Sequence, residues 1–194
     1  MKYISYLIFI IFIAALLYFL KNALEPKAES LYLTGSVKCG ECHQLKKIGD
    51  QQSVWKRSKH SEAYQTPLSD NATNFAKNNS IEEPQKNKLC LKCHTTEFHL
   101  EGTLKAIDFN IIEGVGCESC HGAGSKYSPA WIMKDNGLFT INNGIAGDEN
   151  TCKPCHSSKG NKEQKLSESV CPFQTNDFVY KTEFEKIKHP LNKD

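Results

Sequence analysis

Hydrophobic positions are concentrated at the start of the chain, where Tyr3 to Leu20 form an apolar run that only Ser5 interrupts. As one helix this run would be about 27 Å long, close to the hydrocarbon thickness of a bilayer. It exceeds the length of about 7–15 residues that is usual for the apolar region of a secretory signal, and no small-x-small cleavage motif follows it. The pattern predicts a transmembrane anchor, or an uncleaved signal, over residues 1–21. A cleaved signal and a buried core helix are the alternatives.

Beyond residue 21 the apolar positions are sparse and predict short helices separated by long loops. Residues 22–34 are predicted to be a polar linker, and residues 35–194 one domain. A glycine-rich turn is expected near Gly114 and Gly116. The predicted fold class is mainly α with long loops and little or no sheet. Helical segments are expected over Gln44–Tyr64, around Asp70–Lys88, near Ser128–Lys134 and over Asp177–Lys188.

The composition of this domain excludes an ordinary aliphatic core. After Leu20 the chain has 33 Leu, Ile, Val and Phe in 174 residues, about 19%, which is below the level of about 20% expected of ordinary cores. Such a sequence buries too little apolar surface to offset its own conformational entropy. Either the segment is disordered or something other than side chains fills its interior.

The cysteines favour the second explanation, because eight of the nine lie in four Cys-x-x-Cys-His blocks. This spacing is typical of c-type haem attachment: the two thiols bond to the two vinyl groups of one haem, and the next imidazole reaches the iron. Zinc ribbons, thioredoxin-like motifs and disulfide frameworks do not need a histidine after every pair. The sequence therefore predicts four c-type haems that form the core of a compact multihaem cytochrome. From the first block to the fourth, the residues are Cys39, Cys42 and His43; Cys90, Cys93 and His94; Cys117, Cys120 and His121; and Cys152, Cys155 and His156.

The predicted haems also determine where the domain should lie. Because c-type haem is attached outside the cytoplasm, we expect the domain on the periplasmic side of the cytoplasmic membrane, held by a single span. Release into the periplasm after signal cleavage is the alternative. The net charge of +2 omits the haem propionates, which add negative charge. No basic patch with interleaved aromatic residues suggests a nucleic-acid partner.

The histidines are too few to give every iron two imidazoles. Seven are present, and His60, His99 and His189 remain once each block has used one. At least one of four irons must then be five-coordinate, bound by methionine or completed by a partner.

Several motifs around these residues resemble the tetrahaem cytochrome c-554 family, known as electron carriers in ammonia-oxidising bacteria. They are Trp55-x-x-Ser-x-His60, the Gly-Val-Gly that leads into the third block, Cys171-Pro172-Phe173, and the closing His189-Pro190. The resemblance extends from about Gly35 to Pro190.

This resemblance implies specific distal ligands. His60 corresponds to the distal ligand of the fourth haem, opposite His156, and His189 to that of the third haem, opposite His121. The second haem, of His94, has no distal protein ligand in the best-known member. The first haem of that member takes a histidine from the loop after the third block.

The chain departs from the family in that loop, because residues 122–151 contain no histidine. Met133 is the candidate ligand to the first haem, and packing against a haem face is its alternative role. His99 has no family counterpart, and we expect a surface residue or a contact to a haem propionate. Cys171, outside every block, is expected to be a buried thiol, with an intermolecular disulfide as the alternative.

The leading functional hypothesis is a membrane-anchored electron carrier and not an enzyme. Electrons would pass through closely spaced haems between a redox donor and an acceptor, such as the quinol pool or a hydroxylamine oxidoreductase-like enzyme. One alternative is a small haem oxidoreductase that reduces nitric oxide or another ligand at the open His94 haem. Another is a quinol-oxidising tetrahaem cytochrome of the NapC/NirT type.

Overall fold

The computed structural model describes residues 2–24, 30–156 and 178–190, and the chain divides into two compact units at residue 30. The first unit contains helix α1, Lys2–Leu24. The large apolar side chains described in it, among them Tyr3, Phe12 and Phe19, are exposed in this structure. Among the described residues, no helix combines the length and the hydropathy that a membrane span needs. The anchor predicted for residues 1–21 stays a prediction.

The second unit consists of short helices joined by long loops, which confirms the predicted mainly α fold class. Three-ten helix occupies Lys46–Ile48, Ala63–Leu68 and Ile111–Glu113. The α-helices are α2 (Ser36–His43), α3 (Gln51–Lys56), α4 (Asp70–Asn78), α5 (Lys88–His94), α6 (Thr96–His99), α7 (Cys117–His121), α8 (Ala130–Met133), α9 (Asn136–Ile141), α10 (Glu149–His156) and α11 (Tyr180–Ile187).

A two-stranded parallel sheet is the β-structure of the described residues. Strand β1, Tyr32–Leu33, pairs with β2, Leu104–Lys105, with Tyr32 opposite Leu104. Leu33 is completely buried, and its carbonyl accepts a hydrogen bond of 2.8 Å from the backbone of Ala106. The pairing fixes the segment before the first block beside the loop that precedes the third.

The long helix predicted over Gln44–Tyr64 is wrong in extent. Only α3 is α-helical there, because Gly49 and Asp50 interrupt the chain with positive φ angles of 113° and 49°. A Cβ at Gly49 would collide with the backbone carbonyl of Pro190, so this turn needs glycine both for its conformation and for space. The turn at Gly49 thus interrupts the predicted helix and also lies against a segment far away in sequence.

A buried carboxylate connects the first and third blocks. Glu118, in α7, is 1% exposed. It accepts hydrogen bonds from the backbone nitrogens of Thr34 (2.8 Å), Gly35 (2.8 Å) and Gly124 (2.6 Å), and from the Thr34 hydroxyl (3.1 Å). Four donors satisfy both of its oxygens. The start of α2 is consequently held against α7.

A second polar cluster is centred on the buried hydroxyl of Thr96. Its oxygen accepts hydrogen bonds from the Gly116 nitrogen (2.7 Å) and the Ser119 hydroxyl (3.0 Å), and it donates to the Gly114 carbonyl (3.2 Å). The one proton and both lone pairs of the hydroxyl are therefore used. The cluster attaches α6 to the turn before the third block.

We expect Leu33→Ala to destabilise the folded, haem-loaded protein. Removing a fully buried leucine side chain typically costs about 2–5 kcal/mol of unfolding free energy, which lowers the melting temperature by several degrees in a domain of this size. Thermal unfolding followed by circular dichroism measures the change. Ile107→Ala, at a fully exposed side chain, is the control and should melt like the parent; equal melting of all three proteins would contradict the importance of this core position.

Candidate functional site

Each of the four blocks folds as a short helix that ends at its histidine, in α2, α5, α7 and α10. Residues three and four apart on a helix share one face. The two thiols and the imidazole of a block therefore lie on the same side of their helix. This is the local arrangement that one covalently attached haem requires.

The Nδ1 atoms of three block histidines are held by oxygen acceptors, which determines the nitrogen that remains for a metal. The pairs are His43 with Gln51 Oε1 (3.1 Å), His94 with the Ala63 carbonyl (2.8 Å) and His121 with the Ile145 carbonyl (2.8 Å). Since a carbonyl only accepts, Nδ1 of His94 and His121 carries the proton and Nε2 keeps its lone pair. Burial lowers the pKa of both imidazoles and so favours the neutral form that binds metals.

The imidazole rings of His60 and His156 lie close together, with their planes at 70° to each other. Their ring centroids are 5.8 Å apart. Two metal–imidazole bonds of about 2 Å each, added to the distance from each ring nitrogen to its ring centre, give a similar separation of the two centroids. Burial, with His156 nearby, lowers the pKa of His60 to about 4. The other neighbour of His156 is Phe178, whose ring stacks on it at 4.8 Å.

His60 is positioned by contacts between two of the sequence motifs. The Trp55 Nε1 donates to the Val115 carbonyl (2.9 Å), and the Val115 nitrogen donates to the His60 carbonyl (3.0 Å). Gly114 has a φ of 70°, and a Cβ there would lie 2.7 Å from the His60 carbonyl oxygen. The turn before the third block thus needs glycine so that His60 can approach.

His121 and His189 form a second neighbouring pair, with ring centroids again 5.8 Å apart and ring planes at 47°. Burial lowers the pKa of His189, and the nearby His121 and His43 lower it further. Within the described part of the chain, the buried Nδ1 of His189 has no hydrogen-bond partner in another residue. Leaving such a nitrogen unpartnered costs about 1–3 kcal/mol.

A cavity in front of the fourth block contains the functional groups that one c-type haem needs. Its wall includes both thiols of the block, Cys152 and Cys155, together with His156 and the opposing His60. The last helix contributes Ile187. The residues present therefore fit a covalently bound haem at this block.

Contacts between thiols show which blocks are neighbours. Cys39 is hydrogen-bonded to Cys117, and this bond and burial raise the pKa of Cys39. The fourth block meets the second in the same way, through Cys155 and Cys93. Burial, with the thiols of Cys152 and Cys117, raises the pKa of Cys120 to about 11. The blocks thus form a continuous row in the spatial order first, third, fourth, second.

The remaining candidate residues differ in their placement. Met133 ends α8 and is half-buried, and its ligation of the first iron stays a prediction. His99 lies in the wall of the cavity, with its Nδ1 3.8 Å from the Cys155 sulfur, so it is less exposed than expected of a surface residue. The prediction for Cys171 falls outside the described residues.

Sequence reasoning missed Gln51 and Glu118, which hold the blocks in place. Glu118 lies between the two cysteines of the third block, at a position that the block pattern leaves open to any residue. Gln51 follows a turn whose shape depends on the distant Pro190. Neither position carries a local signal that would have identified it.

Comparison with known proteins shows what this chain is similar to. The family described as "Cytochrome c554 and c-prime" matches residues 38–122, which contain the first three blocks. "Cytochrome c-554" of Nitrosomonas europaea is 31% identical over 121 residues, or 59% of this chain and 48% of that protein. The chain therefore spans about half the length of this curated relative. No solved structure matches.

The matches confirm the resemblance drawn from the sequence motifs. The family implies a c-type haem with iron and a part in electron transfer. Over residues 38–122, this chain is similar to the cytochrome c554 and c-prime family.

Proposed function

We propose that the chain is a tetrahaem c-type cytochrome that transfers electrons between two redox partners. The observation that carries this proposal is the continuous row of four blocks, in which each block has a thiol contact or a close thiol neighbour in the next. Haem bound at the blocks supplies a reversible one-electron iron couple. The thiols hold the cofactors close enough together for electrons to pass along the row.

The chain's own residues would set the properties of the two inner sites. His60 with His156 and His189 with His121 would hold each iron from both sides. Two imidazoles leave no coordination position for a substrate, and axial ligands are a main determinant of haem potential. These inner sites suit electron transfer and exclude ligand chemistry.

The second block offers a different possibility, because among the described ring contacts no imidazole faces His94. An open position there would allow nitric oxide or a similar ligand to bind, so ligand reduction at this end of the row is the second candidate function. Electron supply from quinol is compatible with either function and concerns only the donor.

Ligation by the two inner pairs has a direct spectroscopic test. His60→Ala and His189→Ala should each convert one haem of the ferric protein from low spin to high spin, because each removes one of two axial imidazoles. Optical and electron paramagnetic resonance spectra measure the change. His99→Ala is the matched control, since it removes a cavity imidazole that is not assigned as a ligand; unchanged spectra in the first two variants would refute the ligand assignment.

Electron transfer and ligand reduction are distinguished by the intact haem-loaded protein. We expect about four covalent haems per chain by pyridine haemochrome assay, and reversible reduction in a potentiometric titration. Nitric oxide added to the reduced protein should leave the two inner haems unchanged. Catalytic consumption of nitric oxide with a chemical reductant would favour the enzyme, whereas binding without turnover at one haem would favour the carrier.

Attachment to a membrane stays a prediction that fractionation can test. The exposed apolar side chains of α1 favour retention of the expressed full chain in membranes washed with carbonate. A chain lacking residues 2–24, exported with a cleavable signal, should be released into the periplasmic fraction. Recovery of the uncleaved full chain in the soluble fraction would contradict the anchor.

A further inference from the structure

Gln51, the first residue of α3, makes side-chain contacts with two separate parts of the proposed haem array. It is 8% exposed. Its Oε1 lies 3.1 Å from Nδ1 of His43, the imidazole of the first block. Its Nε2 donates to the Pro190 carbonyl at 2.9 Å and also contacts the carbonyl of Ile48. One buried amide thus connects the first block to the end of the described chain.

The two carbonyls determine how this amide is oriented. Backbone carbonyls accept hydrogen bonds and cannot donate them, so the amide nitrogen must face Pro190 and Ile48. The amide oxygen consequently faces His43. Since that oxygen also only accepts, Nδ1 of His43 must be the donor, and Nε2 keeps the lone pair for iron.

Pro190 directly follows His189, so the hydrogen bond to Pro190 also restrains the position of His189. The His189 ring lies 5.8 Å from that of His121, where the proposed function makes it the distal ligand of the third haem. Gly49 also approaches the Pro190 carbonyl so closely that a Cβ would collide with it. The turn before α3 therefore holds the segment that presents His189.

His43 differs in this respect from the block histidines with backbone acceptors. His94 and His121 donate to main-chain carbonyls, which a side-chain substitution does not remove. The acceptor for His43 is the side-chain oxygen of Gln51. The nitrogen of the same amide holds Pro190, next to His189 of the third site. Acceptors of this kind orient a metal-bound imidazole and increase its basicity.

We propose that Gln51 is a positioning residue that couples the first and third haem sites, a role that rests on the ligands assigned in the proposed function. Its oxygen orients His43 toward the first iron, and its nitrogen keeps His189 in place opposite His121. A change in this one amide alters the electronic environment of one haem and the distal ligation of its neighbour in the row.

Substitution of Gln51 should therefore change two haems at once. Gln51→Leu removes the acceptor of His43 and the donor to Pro190. We expect the midpoint potential of the first haem to rise, because its imidazole becomes less basic, and part of the third haem to become high-spin. Gln51→Glu keeps an acceptor for His43 but loses the donor to Pro190. Gln51→Glu should therefore lower the midpoint potential of the first haem and make the same fraction of the third haem high-spin.

The experiment uses the intact haem-loaded protein, with potentiometric titration and electron paramagnetic resonance of the ferric state. Gln52→Leu is the matched control, since Gln52 is a neighbouring buried glutamine that packs against Gly40. Gln52→Leu should leave the third haem low-spin, because the described contact of Gln52 is with Gly40 in the first block. His189→Ala should give the high-spin signal without the shift in the first potential.

The outcomes separate this proposal from the one on which it depends. An unchanged spectrum in His189→Ala would refute the ligand assignment itself. A high-spin signal in His189→Ala that is absent from both Gln51 variants would overturn the coupling alone, as would a shift confined to one haem. Failure of both Gln51 variants to acquire haem, while Gln52→Leu acquires it, would also overturn the proposal because Gln51 would then be needed for folding.

Discussion

The buried carboxylate of Glu118 is the interaction on which the arrangement of the blocks depends. A charge in the interior is tolerated only when hydrogen bonds satisfy it, and here three backbone N–H groups and a hydroxyl do so. Two of those nitrogens, from Thr34 and Gly35, come directly before α2. Satisfying the charge therefore requires that the first block lie against the third, and the contact between Cys39 and Cys117 follows.

Polar contacts of this kind explain how a chain poor in aliphatic residues folds. Among the residues that the structure describes, as many polar side chains are buried as apolar ones, and the polar ones include Ser36, Thr96 and Glu118. Directional hydrogen bonds fix positions more specifically than apolar contacts, which helps when several cofactors must be held at defined separations. In the proposed protein the haems would supply the apolar interior that the side chains do not.

The sequence predicted features that depend on neighbouring residues, and it missed features that depend on contacts between distant residues. The thiols and imidazoles of the blocks were predictable, because their spacing places them on one face of a helix turn. The pairs His60–His156 and His121–His189 came from the family resemblance, since no local pattern joins residues so far apart. The helix predicted through Gly49 was wrong because Gly49 and Asp50 adopt positive φ angles there. The role of Gln51 depends on its hydrogen bond to the distant Pro190, which no local pattern in the sequence indicates.

The row of blocks also gives the two ends a different character from the middle. The third and fourth blocks, in the middle, have a second imidazole opposite their own, whereas the described ring contacts show none opposite His43 or His94. A carrier must accept and release electrons at its ends. A different sixth ligand at an end haem would change the reduction potential at the point where a redox partner docks. If His94 binds an iron with an open position, the same end could bind a small ligand. In the proposed protein, electron transfer and ligand reduction would share one pathway and would differ only in the reaction at the second block.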